Sequence, residues 1–178
     1  HSPSAAAHAL AAFLARAHER LKPLGIETSI DVFGLAGSFE NDLGIGQRLR
    51  DLMKNVDVIS PMMYPSHYAP GEYRLINPDA SPYETVHRSV GDTKEVLKHA
   101  GVVLRPYLQD FSLKVKYSPR HVRDQIEAAM DQGIGEWLLW NPGCRYSKDA
   151  LMPFAEKLYL TNPTGKTSEP KDQLKTVE

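Results

Sequence analysis

Short apolar segments alternate with longer amphipathic segments over the first 160 residues, and this alternation limits the possible folds more than any other feature. Four segments are rich in β-branched and aromatic residues and too short for helices, so we predict strands at 26–33, 56–63, 102–108 and 136–140. The spacing of apolar residues predicts helices at 3–22, 46–55, 81–99, 118–133 and 147–158. Strands separated by helices are parallel and joined by right-handed crossovers, so the sequence predicts an α/β protein.

The predicted helices carry local start and stop signals. Pro3, Pro82 and Pro119 each follow a serine and suit the first position of a helix. The segment 81–84 also has the sequence of a capping box. Glycines at positions 25, 101 and 133 end helices, and a strand begins within one or two residues of each.

The loops that lead from strand to helix are long, in contrast to these short joints. They span 34–45, 64–81 and 110–118. Parallel strands point the same way, so the long loops gather at the carboxyl ends of the strands. Ligands bind at that end in barrels and in open α/β sheets, so we expect the functional site there.

Composition excludes several classes of function. With 21 basic and 22 acidic side chains the net charge is -1, so we predict no nucleic-acid partner. No apolar run approaches the roughly 20 residues that cross a bilayer, so we predict no transmembrane segment. The single Cys144 cannot form an internal disulfide, and the histidines and acids show no metal-ligand spacing, so we predict neither a metal nor a cofactor. The polar segment 161–178 is predicted to be a disordered tail.

The first predicted strand contains an acid near its end, Asp31. A carboxylate on a buried strand is costly unless it is hydrogen-bonded or used in function. Asp31 is therefore a candidate catalytic group, and the alternative is that it caps a loop or pairs with Arg105.

The second predicted strand is followed by Tyr64, His67 and Tyr68 without an intervening charge. Amphipathic rings at the mouth of a strand suit stacking on the apolar face of a sugar, while their polar atoms bond its edges. Prolines on both sides of Tyr64 restrict the backbone there. These three residues are predicted to bind substrate, and loop packing is the alternative.

The third and fourth predicted strands end in further polar and aromatic groups. Gln109 and Asp110 close the third strand, and alternation places Gln109 on one face and Asp110 on the other unless the strand ends first. Trp140 and Asn141 close the fourth strand, where the indole could form the floor of a sugar subsite. Asp110 is a second candidate catalytic acid, and the other three are predicted to bind substrate.

These strand ends resemble the C-terminal half of a bacterial family of glycoside hydrolases with a (β/α)8-barrel domain. The resemblance covers residues 5–158 and rests on DVFG at 31–34, SPMMYPSHY at 60–68, LRPYLQDF at 104–111 and WLLWNP at 137–142. It implies that residues 1–160 form the second half of a TIM barrel, with Asp31 and the later strand ends lining a carbohydrate cleft. It also implies an extracellular or cell-envelope location.

The resemblance further implies that part of the catalytic site lies upstream, because in the family an earlier strand supplies another acidic motif. A glycosidase needs two carboxyl groups, and Asp31 and Asp110 stand on the first and third strands, about 10 Å apart at the backbone. The chain also begins at His1 without an initiator methionine. We therefore expect a hydrolase of polysaccharides or oligosaccharides that is inactive as this fragment and self-associates through unpaired strand edges.

Three alternatives remain open. The four units could form a small open doubly wound sheet instead of half a barrel. A barrel could bind carbohydrate without cleaving it, with its acids serving only as hydrogen-bond acceptors. Finally, the loop 44–47 precedes a predicted helix and could receive a phosphate, although it lacks the full dinucleotide-binding and P-loop sequences.

Overall fold

The computed structural model describes residues 4–151. Within them lie the α-helices α1 Ala5–Leu21, α2 Leu49–Leu52, α3 Pro82–Leu97 and α4 Pro119–Asp131. The strands are β1 Ser29–Phe33, β2 Val58–Met63, β3 Val103–Leu104, β4 Tyr107–Gln109 and β5 Leu138–Trp140. Most of the helix predicted at 147–158 and the whole predicted tail at 161–178 lie outside the described residues. Only a short 3-10 turn, Lys148–Ala150, is described in that region.

All the described strand pairs are parallel, which confirms the predicted α/β class. The strand order is β1-β2-β4-β5, with β3 also paired to β2. β3 and β4 are two parts of the predicted strand 102–108, since both pair with β2 in the same register. That register sets Pro106 opposite Pro61, and neither residue has an N–H to donate, which explains the interruption of the ladder.

The helices cover one face of the sheet. Alternate strand residues, among them Val32, Ile59 and Leu108, join one core with residues of all four helices. Each fully buried aliphatic side chain contributes roughly 1.5–3 kcal/mol, so this shared core is the main source of stability. Parallel strands that alternate with helices are found both in partial (β/α) barrels and in doubly wound sheets.

Several element boundaries differ from the predictions for identifiable reasons. Helix α1 begins at Ala5 because Ser4 caps it, its hydroxyl oxygen accepting from the backbone N–H of Ala7 at 3.1 Å. Pro3, the predicted first helical residue, lies outside the described residues. Strand β1 begins at Ser29 and not at 26, because Thr28 is bound through its N–H and hydroxyl to the Asp57 carboxylate.

The second predicted helix is much shorter than expected. The carbonyl of Asp42 accepts from the N–H groups of both Ile45 and Gln47, so the chain turns tightly where the helix was predicted to begin. Only the four residues of α2 are α-helical, and a 3-10 turn, Met53–Asn55, follows them.

The capping box was predicted at the wrong helix. Ser81 precedes α3, but its side chain makes no capping hydrogen bond, and its carbonyl instead accepts from the Thr85 hydroxyl at 2.8 Å. Ser118 precedes α4 and does form a reciprocal box, in which the backbone N–H of Ser118 donates to Nδ1 of His121 at 3.1 Å. Histidine takes the place of the usual Glu or Gln, so the common sequence pattern does not find it.

Candidate active site

The sheet face opposite the helices carries the predicted site, and we call it the site face. It is formed by residues that alternate with the core residues along the strands and along the segments that directly continue them, and we call these the strand residues of the site face: Asp31, Phe33, Ser60, Met62, Tyr64, Arg105, Tyr107, Gln109, Glu136, Leu138 and Trp140. The strand register arranges most of these side chains in rows across the sheet. Because the strands are parallel, each successive row lies nearer to the long loops.

One row is charged. Asp31 pairs in register with Ser60, and the bond from the N–H of Arg105 to the carbonyl of Ile59 sets Arg105 beside Ser60 on the other side. The register of β4 with β5 then brings Glu136 beside Arg105. Arg105 donates from Nε and Nη2 to Oε2 of Glu136 at 2.9 and 2.6 Å. We call these four residues the charged row.

Asp31 is free of strong partners. Within residues 4–151 its carboxylate makes no hydrogen bond and no ion pair, so the alternative pairing with Arg105 is not observed. The residue is exposed to solvent on one side, yet partial burial of the carboxylate raises its pKa. A free carboxylate whose proton is held more tightly than usual is suited to donate that proton.

An aromatic cluster lies above the charged row at the end of β2. Tyr64 is buried, and its ring meets those of His67 and Phe111 edge to face at 5.2 and 5.5 Å. His67 is exposed and stacks on Phe33 with ring centroids 6.3 Å apart. Partial burial lowers the pKa of His67, and the charge of Asp79 opposes this effect. The cluster therefore presents a neutral imidazole and an apolar wall to the site face.

A second group of rings stands nearer to β5. Tyr107 and Trp140 meet edge to face at 6.3 Å, and Trp140 and Tyr146 are each 45% exposed. Burial raises the pKa of Tyr107, and the charges of Asp31 and Tyr146 raise it further. Burial also raises the pKa of Tyr64, with further contributions from these same residues and Tyr107. The charge of Asp31 thus acts on both tyrosine hydroxyls. Both groups of rings lie on the loop side of the charged row, because their strand residues follow those of the row along the chain.

Phe33, Tyr107, Phe111 and Tyr146 were not among the predicted site residues. Alternation along the third strand already placed Tyr107 on the same face as Gln109, so that residue could have been found. Tyr146 follows β5 in an irregular loop, and no sequence signal connects it with Tyr64.

Gln109 holds the backbone of two loops beside the site. The residue is fully buried, its Oε1 accepts from the N–H of Ser66 at 3.0 Å, and its Nε2 donates to the carbonyl of Phe111 at 2.9 Å. Its own backbone is bound in turn by the buried side chain of Gln125. Because both ends of the Gln109 amide are occupied, its contacts favour positioning of the loops over contact with a ligand.

Asp110 and Asn141 fasten the loop that follows β5. The carboxylate of Asp110 is 4% exposed, and both its oxygens accept from Ser147, from the N–H and from the hydroxyl, each at 2.7 Å. Asn141 donates to the carbonyl of Asp110 and accepts from the N–H of Gly143. The roles predicted for Asp110 in catalysis and Asn141 in sugar binding stay predictions, and these contacts favour structural roles.

Tyr68 lies apart from the other predicted site residues. It is buried, and its hydroxyl lies 2.6 Å from that of Ser89 on α3. A Cβ added to Gly34 would lie only 2.6 Å from the same hydroxyl, so a glycine is needed at that position. Burial raises the pKa of Tyr68. This hydroxyl is bound to the helical layer, and its contacts do not favour sugar binding.

The loop 44–47, considered for phosphate, is closed by its own hydrogen bonds. The carboxylate of Asp42 accepts from the N–H of Gly44, and its carbonyl accepts from Ile45 and Gln47. The Gln47 side chain accepts from the N–H of Phe33 at 2.6 Å. Few donors remain for an anion, so the geometry disfavours phosphate binding.

Residues 4–151 contain neither a cluster of metal ligands nor a helix that could span a membrane. In that part of the chain, no cluster of three or more histidine, cysteine or acidic side chains could hold a metal ion. The helices described there include none with the length and apolar character needed to cross a membrane.

Comparison with known proteins points to one family. Its model, described as a putative glycosyl hydrolase domain, matches residues 1–146. A search of curated proteins found no match, and a search of solved structures found none either. Because the matched part is most of the chain, this protein belongs to that family of glycosyl hydrolase domains.

Proposed function

We propose that this chain is the second half of the (β/α)8 barrel of a glycoside hydrolase that cleaves a polysaccharide or oligosaccharide. The observation that carries the proposal is Asp31, an unpaired carboxylate with a raised pKa on the same sheet face as two groups of aromatic rings. Family membership supports the same reaction class. In this proposal Asp31 is the general acid.

The chemistry needs one proton donor and a second carboxylate. Asp31 gives its proton to the glycosidic oxygen as the bond from that oxygen to the anomeric carbon breaks. Water supplies the hydroxyl that the anomeric carbon gains, and the second carboxylate takes up the remaining proton or first forms a glycosyl ester. A raised pKa keeps the Asp31 carboxyl protonated over a wider pH range, as this role requires.

The reaction also requires a second carboxylate beside Asp31. Asp110 was predicted for it, but both its oxygens are occupied by Ser147. Glu136, the other acid among the strand residues of the site face, is bound to Arg105. We propose that the partner of Asp31 comes from the other half of the barrel, so that residues 1–178 alone bind sugar without cleaving it.

Sugar binding is assigned to the aromatic groups. Trp140 and Tyr146 are exposed near β5, and His67 is exposed near the end of β2. Aromatic rings stack on the apolar faces of pyranose rings, and a chain of sugars could contact both groups at once. A substrate longer than one sugar therefore fits this arrangement best.

The test compares hydrolysis and binding in the natural protein that contains both halves of the barrel. Wild type and Asp31→Asn are incubated with a panel of polysaccharides, and released reducing ends are measured. We expect Asp31→Asn to lose at least about a hundredfold in rate, the usual contribution of a general acid, while binding is retained. Glu19→Gln, an exposed acid on α1, is the control and should keep full activity. Undiminished turnover in Asp31→Asn would rule out its role.

A second candidate is a barrel that binds carbohydrate without hydrolysing it. The observation that favours this candidate is that, among the described strand residues of the site face, no second free acid stands beside Asp31. Binding of a polysaccharide with no release of reducing ends by the two-half protein would support it. Loss of binding in Trp140→Ala would then assign the contact to the rings and not to the acid.

A further inference from the structure

The charged row holds one arginine between two acids. Ser60 separates Asp31 from Arg105, so the backbones of these two residues are two strand spacings apart, about 10 Å. Both side chains project from the site face, and an arginine is long enough to approach an aspartate over that distance. The guanidinium nevertheless turns the other way, and its Nε and Nη2 both donate to Glu136.

We propose that Glu136 is a positioning residue of the site, which holds the Arg105 guanidinium away from the Asp31 carboxylate. The inference rests on the proposed function, because an unpaired Asp31 matters for catalysis only if that residue transfers a proton. No contact between Glu136 and Asp31 is needed, since Glu136 acts through Arg105.

Stability alone does not account for the pair of Arg105 and Glu136. Their side chains are 31% and 59% exposed, and exposed ion pairs contribute little to folding because water and salt screen them. The pair is nevertheless bound through two donor atoms, which fixes the direction of the guanidinium. The influence of this pair on Asp31 in the charged row therefore explains its presence better than a contribution to the stability of the fold.

The other titratable groups that face Asp31 leave Arg105 as the deciding charge. The charge of Asp31 acts on Tyr64 and Tyr107, and burial raises the pKa of both tyrosines, so they remain neutral at ordinary pH. Among the strand residues of the site face within 4–151, Arg105 is the one cation. An arginine beside an aspartate lowers its pKa by about 1–3, an effect opposite in direction to the rise caused by burial.

The experiment is a titration of the Asp31 carboxyl carbon by NMR in the full chain. The resonance is assigned by its absence in Asp31→Asn, and its pKa is compared between wild type and Glu136→Gln. We expect the released Arg105 to approach Asp31 and to reduce its proton-binding constant by roughly tenfold or more. Glu136→Ala removes the same charge and should act in the same way, so the test does not depend on one variant folding.

Two further variants distinguish an effect of Glu136 through Arg105 from a direct effect of the Glu136 charge on Asp31. In the double variant Glu136→Gln with Arg105→Met, Asp31 should titrate near its wild-type value, because no guanidinium is present to approach it. Glu136→Asp keeps a carboxylate for Arg105 and should also titrate near wild type. Glu95→Gln removes the exposed pair with Lys98 on α3 and should change nothing.

The inference would be overturned if the Asp31 pKa stayed constant or rose in both neutral variants at position 136. A fall of equal size in the double variant would also overturn it, since Glu136 would then act by its own charge. The titration needs no substrate, so this result is independent of whether the two-half protein hydrolyses polysaccharides. Absence of hydrolysis would contradict the proposed function and leave the titration result standing.

Discussion

At the scale of single residues, the contrast between Asp31 and Asp110 carries most of the functional argument. Both acids stand on the sheet near the long loops, and sequence alone treats them alike. Asp110 accepts two hydrogen bonds from Ser147, whereas within residues 4–151 Asp31 accepts none. A carboxylate is stabilised as an anion by such bonds, so the two acids are expected to respond differently to pH and to substitution.

Asp31→Asn should alter how stability depends on pH. The folded pKa of Asp31 is raised, so its contribution to the free energy of unfolding is fully present below the unfolded value, about 3.9, and is lost as pH rises through the folded value. Asparagine has no such loss. The stability of the variant relative to wild type should therefore increase as the pH rises above about 4.

Urea unfolding at several pH values measures this difference. The control Glu19→Gln should show a constant difference from wild type over the same range. A constant difference for Asp31→Asn as well would show that its carboxyl group titrates alike in the folded and unfolded chains.

Gln109→Met should destabilise the fold without removing any ring from the site. The substitution keeps the volume but leaves the N–H of Ser66 and the carbonyl of Phe111 without their partner. Each unsatisfied buried group costs about 1–3 kcal/mol, so we expect a loss of about 2–4 kcal/mol in chemical denaturation. Gln47→Met, which removes one acceptor from a half-buried position, should cost less. Equal losses of stability in Gln109→Met and Gln47→Met would contradict the structural role assigned to Gln109.

At the scale of elements, the structure depends on how closely the turn after β1 approaches α3. Gly37 lies in the 3-10 turn Gly34–Gly37, and a Cβ there would stand 2.1 Å from Oγ1 of Thr93 and 2.9 Å from its Cα. The neighbouring helix would have to move to admit a side chain, since Cα belongs to its backbone. This contact sets the distance between the start of the loop and the helical layer.

Gly37→Ala should therefore be destabilising by about 1–3 kcal/mol, the usual cost of overpacking, as measured by the shift of the denaturation midpoint. Gly135→Ala is the matched control, because a Cβ there meets nothing within 4 Å and its backbone is not left-handed. That variant should stay within about 0.5 kcal/mol of wild type. A neutral Gly37→Ala would mean that α3 shifts freely against the turn.

The loop after β5 depends on Asp110 in a similar way. Asp110→Asn removes one of the charged acceptors of Ser147, and hydrogen bonds to charged groups contribute about 1.5–3 kcal/mol. We expect a loss of stability in that range, in contrast to Asp31→Asn, whose stability relative to wild type should rise with pH. Thermal unfolding of both variants at several pH values provides the comparison. Unchanged stability in Asp110→Asn, combined with lost hydrolysis in the two-half protein, would restore the predicted catalytic role.

At the scale of the whole molecule, both edges of the described sheet are open. Within residues 4–151, β1 pairs only with β2, and β5 pairs only with β4. An exposed apolar side chain directly precedes the first edge strand, since Ile26 is 48% exposed. Open parallel edges beside apolar surface favour pairing with another chain.

We predict that the isolated chain associates with itself as its concentration rises, which sedimentation velocity would measure. Ser29→Lys adds a charge to the exposed edge strand β1 and should weaken the association, because lysine on an edge disfavours strand pairing. Ser112→Lys, in an exposed loop, is the matched control and should not change it. A wild-type chain that stays monomeric at all concentrations would contradict the open-edge interpretation.

The sequence by itself determined the number, type and order of the units. Glycine stops, proline starts and short β-branched runs are local signals, so they predicted the alternating α/β class and the carboxyl-end location of the site. They also predicted Asp31 as a site residue, because a charge on an apolar strand is visible without a structure. Boundaries were less accurate, since the Asp42 turn shortened α2 and the facing prolines 61 and 106 divided the third strand.

Only the tertiary structure decided which polar groups are free to act. Asp31 and Asp110, or Tyr64 and Tyr68, look equivalent along the chain, but hydrogen bonds from distant residues occupy one member of the first pair and a helix binds one member of the second. The register also brought Glu136 to Arg105, 31 residues away, and so left Asp31 unpaired. Such choices depend on contacts between elements remote in sequence, and local propensity carries no information about them.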